Sequence, residues 1–196
     1  MTRLDDALVR ASDVLNELGK GFALVGGIAV SALTAPRSTG DVDVAVAVAD
    51  DGEAEAVAGS FMTAGYGVAS VLEQDETGRL AGVRVHDAAT GVGLDLMFAM
   101  CGVEPEIVAS AQQIEVLPGT VLPVASIGSL IVMKLLARDD RRRPTDADDL
   151  RSLAEVATDS DWAEAHRLAE LVTVRNAHRK RDLAASLSQL QAHGAF

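Results

Sequence analysis

Aromatic residues are scarce in this 196-residue chain, at 3 % with one Trp and one Tyr. Its core must therefore come mainly from Val, Leu and Ala, and a 48 % hydrophobic fraction suffices to build one. Cysteine is scarcer still. Cys101 stands alone, which excludes an intramolecular disulfide framework and points to the reducing cytoplasm. The stretch MTRLDDALVRASDVL is charged and lacks an apolar h-region, so no signal peptide is expected. Long hydrophobic runs are missing too, and no membrane association is expected: the run Ile127 to Ala137 is broken by Lys134 and is too short for a bilayer. Basic residues are outnumbered, 17 Lys and Arg against 29 Asp and Glu, for a net charge of -12. That balance argues against a general nucleic-acid binder. The deficit is uneven. Residues 1–101 hold 6 basic against 15 acidic groups, and residues 102–196 hold 11 against 14. Two basic clusters stand out, Arg138 with Arg141, Arg142 and Arg143, and Arg175 with Arg179, Lys180 and Arg181. They could take a polyanion in one groove.

Hydrophobic periodicity divides the chain at about residue 124. Before it, a helix over 3–19 is followed by strand Phe22–Val25, helix Ile28–Leu33, strand Val42–Val48 and helix Gly52–Ala64. Strands are then expected at Tyr66–Leu72, Leu80–His86 and Val92–Phe98, and a short one at Val116–Pro123 around Pro118-Gly119. After it the pattern is helical. Ser126 caps a helix to Arg138, Thr145 one to Val156, Asp161 one to Thr173, and a last helix covers Asn176–Gln191. The expected fold is α/β: a mixed core over residues 1–124, with a helical region over 125–196 packed on it as one compact unit.

Three features carry chemistry. Asp41 and Asp43 open an apolar strand and share one face of it, with Val42 pointing the other way. Two carboxylates on one face can hold Mg²⁺, which takes oxygen ligands and leaves positions for phosphates. The spacing alone is weak, since it recurs at Glu53/Glu55, Glu73/Asp75, Glu104/Glu106, Asp146/Asp148 and Asp159/Asp161. Position is what distinguishes Asp41 and Asp43, because carboxylates at the head of an apolar strand need a partner or a metal. Gly26-Gly27 follows the strand FALV and opens a helix, where backbone N–H groups can approach a phosphate; a plain tight turn is the alternative. Asp95 lies alone in the apolar stretch VGLDLMF and needs a partner, a hydrogen bond or a metal.

Together, Gly-Gly, thirteen residues, Asp-x-Asp and a later strand Asp resemble the minimal nucleotidyltransferase superfamily related to DNA polymerase β, over roughly residues 22–98. The resemblance implies a mixed sheet with flanking helices, metal ligation by Asp41, Asp43 and Asp95, and a triphosphate held at Gly26-Gly27. It also implies that Asp95 helps activate the attacking hydroxyl. The segment SIGSLIVMKLLARDDRRRPTDADDLRSL, residues 126–153, resembles the motif that follows the core in AbiEii-type nucleotidyltransferases, whose members include toxins of bacterial toxin–antitoxin pairs. Its matching residues are Lys134, Arg138, Arg143, Asp146, Asp149 and Leu150. On a continuous helix Lys134 and Arg138 share a face, and two cations there call for anions: a triphosphate, or Asp146 and Asp149 as salt-bridge partners.

Size and motif set look like the mycobacterial branch, which transfers nucleotides to the 3′ end of tRNA. That implies an NTP and a tRNA acceptor as substrates, Mg²⁺ as cofactor, and a cognate antitoxin protein, a kinase in related pairs. Arg37 and Ser38 precede the carboxylates, where they could meet a phosphate. Thr39, with Ser38 as runner-up, is the expected site of silencing phosphorylation, which would add about -1.5 to -2 charge beside Asp41. A nucleotidyltransferase acting on small cationic antibiotics, and a non-catalytic nucleotide-binding or partner-binding module, remain as alternatives.

Overall fold

A computed structural model describes residues 2–74, 77–139 and 145–194. Helix α1 (Arg3–Glu17) is fixed at its start by a capping box, in which the Thr2 hydroxyl accepts from the Asp5 amide and the Asp5 carboxylate accepts from the Thr2 amide. Its buried stripe is Ala7, Leu8, Ala11 and Leu15. Strand β1 (Phe22–Val25) is buried throughout and leads directly into α2 (Gly26–Leu33). Next come β2 (Asp41–Val46), α3 (Asp51–Thr63), β3 (Tyr66–Glu73), β4 (Leu80–Asp87) and β5 (Gly93–Met97). Val/Ala-rich alternation places these strands well, and their residues match expectation to within two or three positions at each end.

Three differences have local causes. The short helix α4 (Glu104–Ala109) carries Pro105 in its first turn but has only six residues, too few for a period to register in the sequence. The single strand expected at 116–123 is a hairpin, β6 (Gln112–Leu117) and β7 (Thr120–Val124), with Gly119 at φ 76 in its turn. After α5 (Ile127–Ala137), α6 (Thr145–Val156) and α7 (Asp159–Val174), the chain stays irregular until α8 (Leu183–His193). Asn176, Arg179 and Lys180 all adopt positive φ, which interrupts the helix expected from 176 onward. Helix α7 is capped by Thr158, with Asp161 at its third position completing a capping box.

The seven strands form one sheet in the order β3-β4-β5-β2-β1-β7-β6. The β2–β5 and β1–β7 pairs are parallel and the others antiparallel, so the sheet is mixed as expected. Helices α3 and α4 pack on the sheet, and α5 packs against α6 and α7. One hydrophobic cluster joins Leu15 of α1, Val44 and Leu96 of the sheet, Ile131 of α5 and Leu187 of α8. The few aromatics are used in it: Phe61 is fully buried and meets Tyr66 edge-on, with ring centroids 5.0 Å apart. No described helix is long and apolar enough to cross a membrane.

Candidate active site

Strand register builds the site. Asp43 of β2 lies opposite Val25 of β1 and opposite Asp95 of β5. Asp95 in turn lies opposite Arg84 of β4, and Arg84 opposite Ser70 of β3. Directly opposed residues share a face. One row across the sheet therefore presents Asp43, Asp95, Arg84 and Ser70 side by side, and all four line a cavity of about 380 Å³. The next row, Met97, Gly82 and Leu72, includes the apolar lining residues Met97 and Leu72. Helix α5 adds Met133 and Lys134 to the wall. Cys101 also reaches the lining, and burial pushes its thiol well above the ordinary range.

Gly26 is required where β1 turns into α2. Its φ is +63, and a Cβ placed on it would lie 1.9 Å from Asp43 Oδ2. The Asp43 carboxylate thus rests directly on the Gly26 backbone, which is the close approach the Gly-Gly pair suggested. Asp41 lies two residues before Asp43, on the same face but outside the cavity lining. Its carboxylate is 2.7 Å from Arg84 Nη2, while Arg84 Nε is 3.4 Å from Asp95. The strand therefore does bring Asp41, Asp43 and Asp95 to one region. Among the described residues, however, no three acidic, His or Cys groups converge closely enough to form a ready metal centre. The donor set is all carboxylate oxygen, which fits a hard divalent cation. The Arg84 guanidinium lies between two of these carboxylates, bridging Asp41 and Asp95. Nothing in the sequence marked Arg84, which reads as a solvated position of an alternating strand.

Lys134 is buried and meets both carboxylates named as its alternative partners, Asp146 at 2.9 Å and Asp149 at 2.6 Å. Asp146 and Asp149 are each 1 % exposed, on α6 behind the cavity wall. Helix α5 ends at Ala137, and Arg138 is its C-cap with φ -52 and ψ 125, so the chain leaves the helix just after the position four residues on from Lys134. Arg37 also turns to Asp149, through Nε at 2.5 Å and Nη2 at 2.7 Å, and its Nη1 donates to the Ser38 carbonyl. Arg37, Ser38 and Thr39 line a separate open hollow with Arg3 and Thr90, not the cavity holding Asp43 and Asp95. They remain coupled to it through Gly27, where a Cβ would lie 2.6 Å from Thr39 Oγ1 and 3.0 Å from Arg37 Nη2.

The C-terminal basic cluster ties the α7–α8 connection to the rest of the fold. Arg175 donates to the Gly102 carbonyl and to both oxygens of Glu106, whose carboxyl it holds below the usual range. Arg179 donates to the Met100 carbonyl and lines the cavity, and Arg181 donates to the Arg138 carbonyl. Arg141, Arg142, Arg143 and Phe196 lie outside the described residues.

A family model described as the AbiEii nucleotidyl transferase toxin of type IV toxin–antitoxin systems matches residues 7–194. No curated protein sequence matches the chain. Among solved structures, an antigenic nucleotidyltransferase-like protein from Paracoccidioides brasiliensis is similar at 18 % identity and a TM-score of 0.50, over 92 % of this chain and 91 % of that one. ANT(2″)-Ia in complex with adenylyl-2″-tobramycin is similar at 14 % identity and a TM-score of 0.50, over 94 % of this chain and 96 % of that one. At these identities the likeness is one of fold, and the fold is that of a nucleotidyltransferase.

Proposed function

This chain belongs to the AbiEii family of nucleotidyltransferase toxins of type IV toxin–antitoxin systems, and on that premise we propose that it transfers a nucleotide from an NTP to the 3′ end of tRNA, blocking translation. The observation that carries the reading is the row of Asp43, Asp95 and Arg84, which opens on a cavity beside Gly26 and Lys134. Asp41, Asp43 and Asp95 are the residues to hold Mg²⁺, which when bound neutralises the triphosphate and the leaving pyrophosphate. The chain's own groups do the rest. The Gly26-Gly27 backbone, against which the Asp43 carboxylate rests, holds the triphosphate beside that carboxylate. Lys134 and Arg179 face the cavity as cations for the outer phosphates. Asp95 accepts the proton of the attacking hydroxyl. Asp146 and Asp149 fix the Lys134 ammonium, and Asp146 joins Lys134 in binding the nucleotide. Arg138, just past the end of α5, and Arg37 with Ser38, across Gly27, are outlying contacts for the nucleotide or the acceptor strand.

Regulation by the cognate antitoxin belongs to the same reading. Ser38 is exposed and Thr39 half-buried. A phosphate on Thr39 cannot occupy the contact its hydroxyl makes with Gly27, so it would push the loop off the Gly26-Gly27 turn. Ser38 is the second candidate.

A test uses wild type and Asp41→Ala with each labelled NTP, Mg²⁺ and total bacterial RNA on a denaturing gel. A tRNA-sized labelled band that is lost in the variant is the expected result. Absence of RNA label together with pyrophosphate release stimulated by small cationic compounds would overturn it in favour of an antibiotic acceptor, which a net charge of -12 would suit. Nucleotide binding with no turnover would indicate a binding module.

A further inference from the structure

We infer that Arg84 is the resting counter-ion of the carboxylate cluster, and that a divalent cation enters by taking its place. The inference rests on the assignment of Asp41, Asp43 and Asp95 proposed above. Three carboxylates on two adjacent parallel strands repel one another unless a cation lies among them. In this structure one does. The Arg84 guanidinium spans from Asp95, its register partner, to Asp41, two pairs further along the strand on the same face, at 3.4 Å and 2.7 Å.

The arm lies along the neighbouring strand. Gly93 lies opposite Asp41, and Arg84 Nε and Nη2 pass over it, each 3.6 Å from where a Cβ would stand, an ordinary contact distance. The arm is also easy to displace. The Arg84 side chain is 44 % exposed, and exposed ion pairs are weak. A doubly charged ion that gathers three carboxylate oxygens has the advantage over one guanidinium bridging two. The exchange leaves the arm useful: Arg84 lines the same cavity as Lys134 and Arg179, and its forked donors suit phosphate oxygens. Arg84 is then a positioning residue for the carboxylates before the cation binds, and a phosphate ligand afterwards.

The test needs no turnover. Mn²⁺ alone is titrated into wild type, Arg84→Gln and Asp43→Asn, with bound ion followed by loss of the free-ion electron paramagnetic resonance signal. Unfolding temperature is recorded with and without the ion. Arg84→Gln is expected to bind Mn²⁺ about fivefold more tightly than wild type, the size of one lost competing ion pair. It should unfold earlier than wild type only when Mn²⁺ is absent. Equal affinities, with the same loss of unfolding temperature in both conditions, would overturn the inference and leave the carboxylate assignment standing. Binding that Asp43→Asn leaves unchanged, or no binding by wild type, would overturn the assignment and the inference with it.

Discussion

Asp149 accepts a forked pair of hydrogen bonds from Arg37, 112 residues earlier in the chain, and the same carboxylate lies 2.6 Å from the Lys134 ammonium. One buried group on α6 thus fixes both the loop before β2 and the cation in the cavity wall. Asp149→Ala leaves Lys134 buried with Asp146 alone and releases Arg37. Removing one partner of a buried ionic cluster costs about 3–5 kcal/mol. The shift of the urea unfolding midpoint at unchanged m-value checks this. Arg37→Ala should cost less, about 1–2 kcal/mol, because Asp149 keeps Lys134.

Gly26→Ala is expected to separate folding from activity. The new methyl falls 1.9 Å from Asp43 Oδ2 and requires φ +63 of an alanine. The backbone strain costs about 1–2 kcal/mol, which a protein of ordinary stability survives. The Asp43 carboxylate must move by an ångström or more, and a misplacement of that size lowers transfer by roughly 10²-fold. Circular dichroism unchanged beside a strong loss of pyrophosphate release is the expected pair of readings.

Legibility in the sequence follows the range of the interaction. Alternating Val and Ala in β2, the Ser126 cap of α5 and the glycine turns are local signals, and the elements they mark are where the sequence places them. Asp41, Asp43, Asp95 and Gly26 were legible because carboxylates in apolar strands and a Gly-Gly after a strand are each locally anomalous. Arg84 was not, since a charged residue in a half-exposed strand is ordinary until register sets it opposite Asp95. The irregular stretch through Arg179 and Lys180 was hidden for another reason. Arg179 and Lys180 adopt positive φ without being glycine, and Arg179 donates to the Met100 carbonyl, a distant contact that no local pattern records.

Acid stability should depend on Asp87, which is fully buried under α1. Burial alone pushes its carboxyl up. The Ala89 amide, the Thr90 hydroxyl and the Arg10 guanidinium outweigh that and hold it below its ordinary 3.8. A carboxyl depressed in the folded state stabilises the fold above its unfolded value, and that contribution is lost as pH falls through the folded one. Wild type is therefore expected to lose stability below about pH 4, and Asp87→Asn to be less stable at pH 7 with a flatter acid limb. Unfolding midpoints measured between pH 3 and pH 7 check this, and parallel curves would contradict it.

Thr39 offers a direct reading of the proposed switch. Its hydroxyl packs where a Gly27 side chain would begin, and Arg37, two residues earlier, is held by Asp149. Thr39→Val keeps the shape and removes the acceptor oxygen, so transfer should stay near wild type while phosphorylation at this position ends. Thr39→Glu adds length and negative charge beside Asp41 and the Gly26-Gly27 turn, and should lower transfer by roughly 10²-fold. The two substitutions act on one atom position with opposite expectations, so a general disturbance of the loop cannot produce both results. Intact mass of protein expressed with its antitoxin would show about 80 Da added to wild type and Thr39→Ser but not to Thr39→Val, the mass of one phosphoryl group. Addition retained in Thr39→Val and lost in Ser38→Ala would move the switch to Ser38, which is the more exposed of the two hydroxyls.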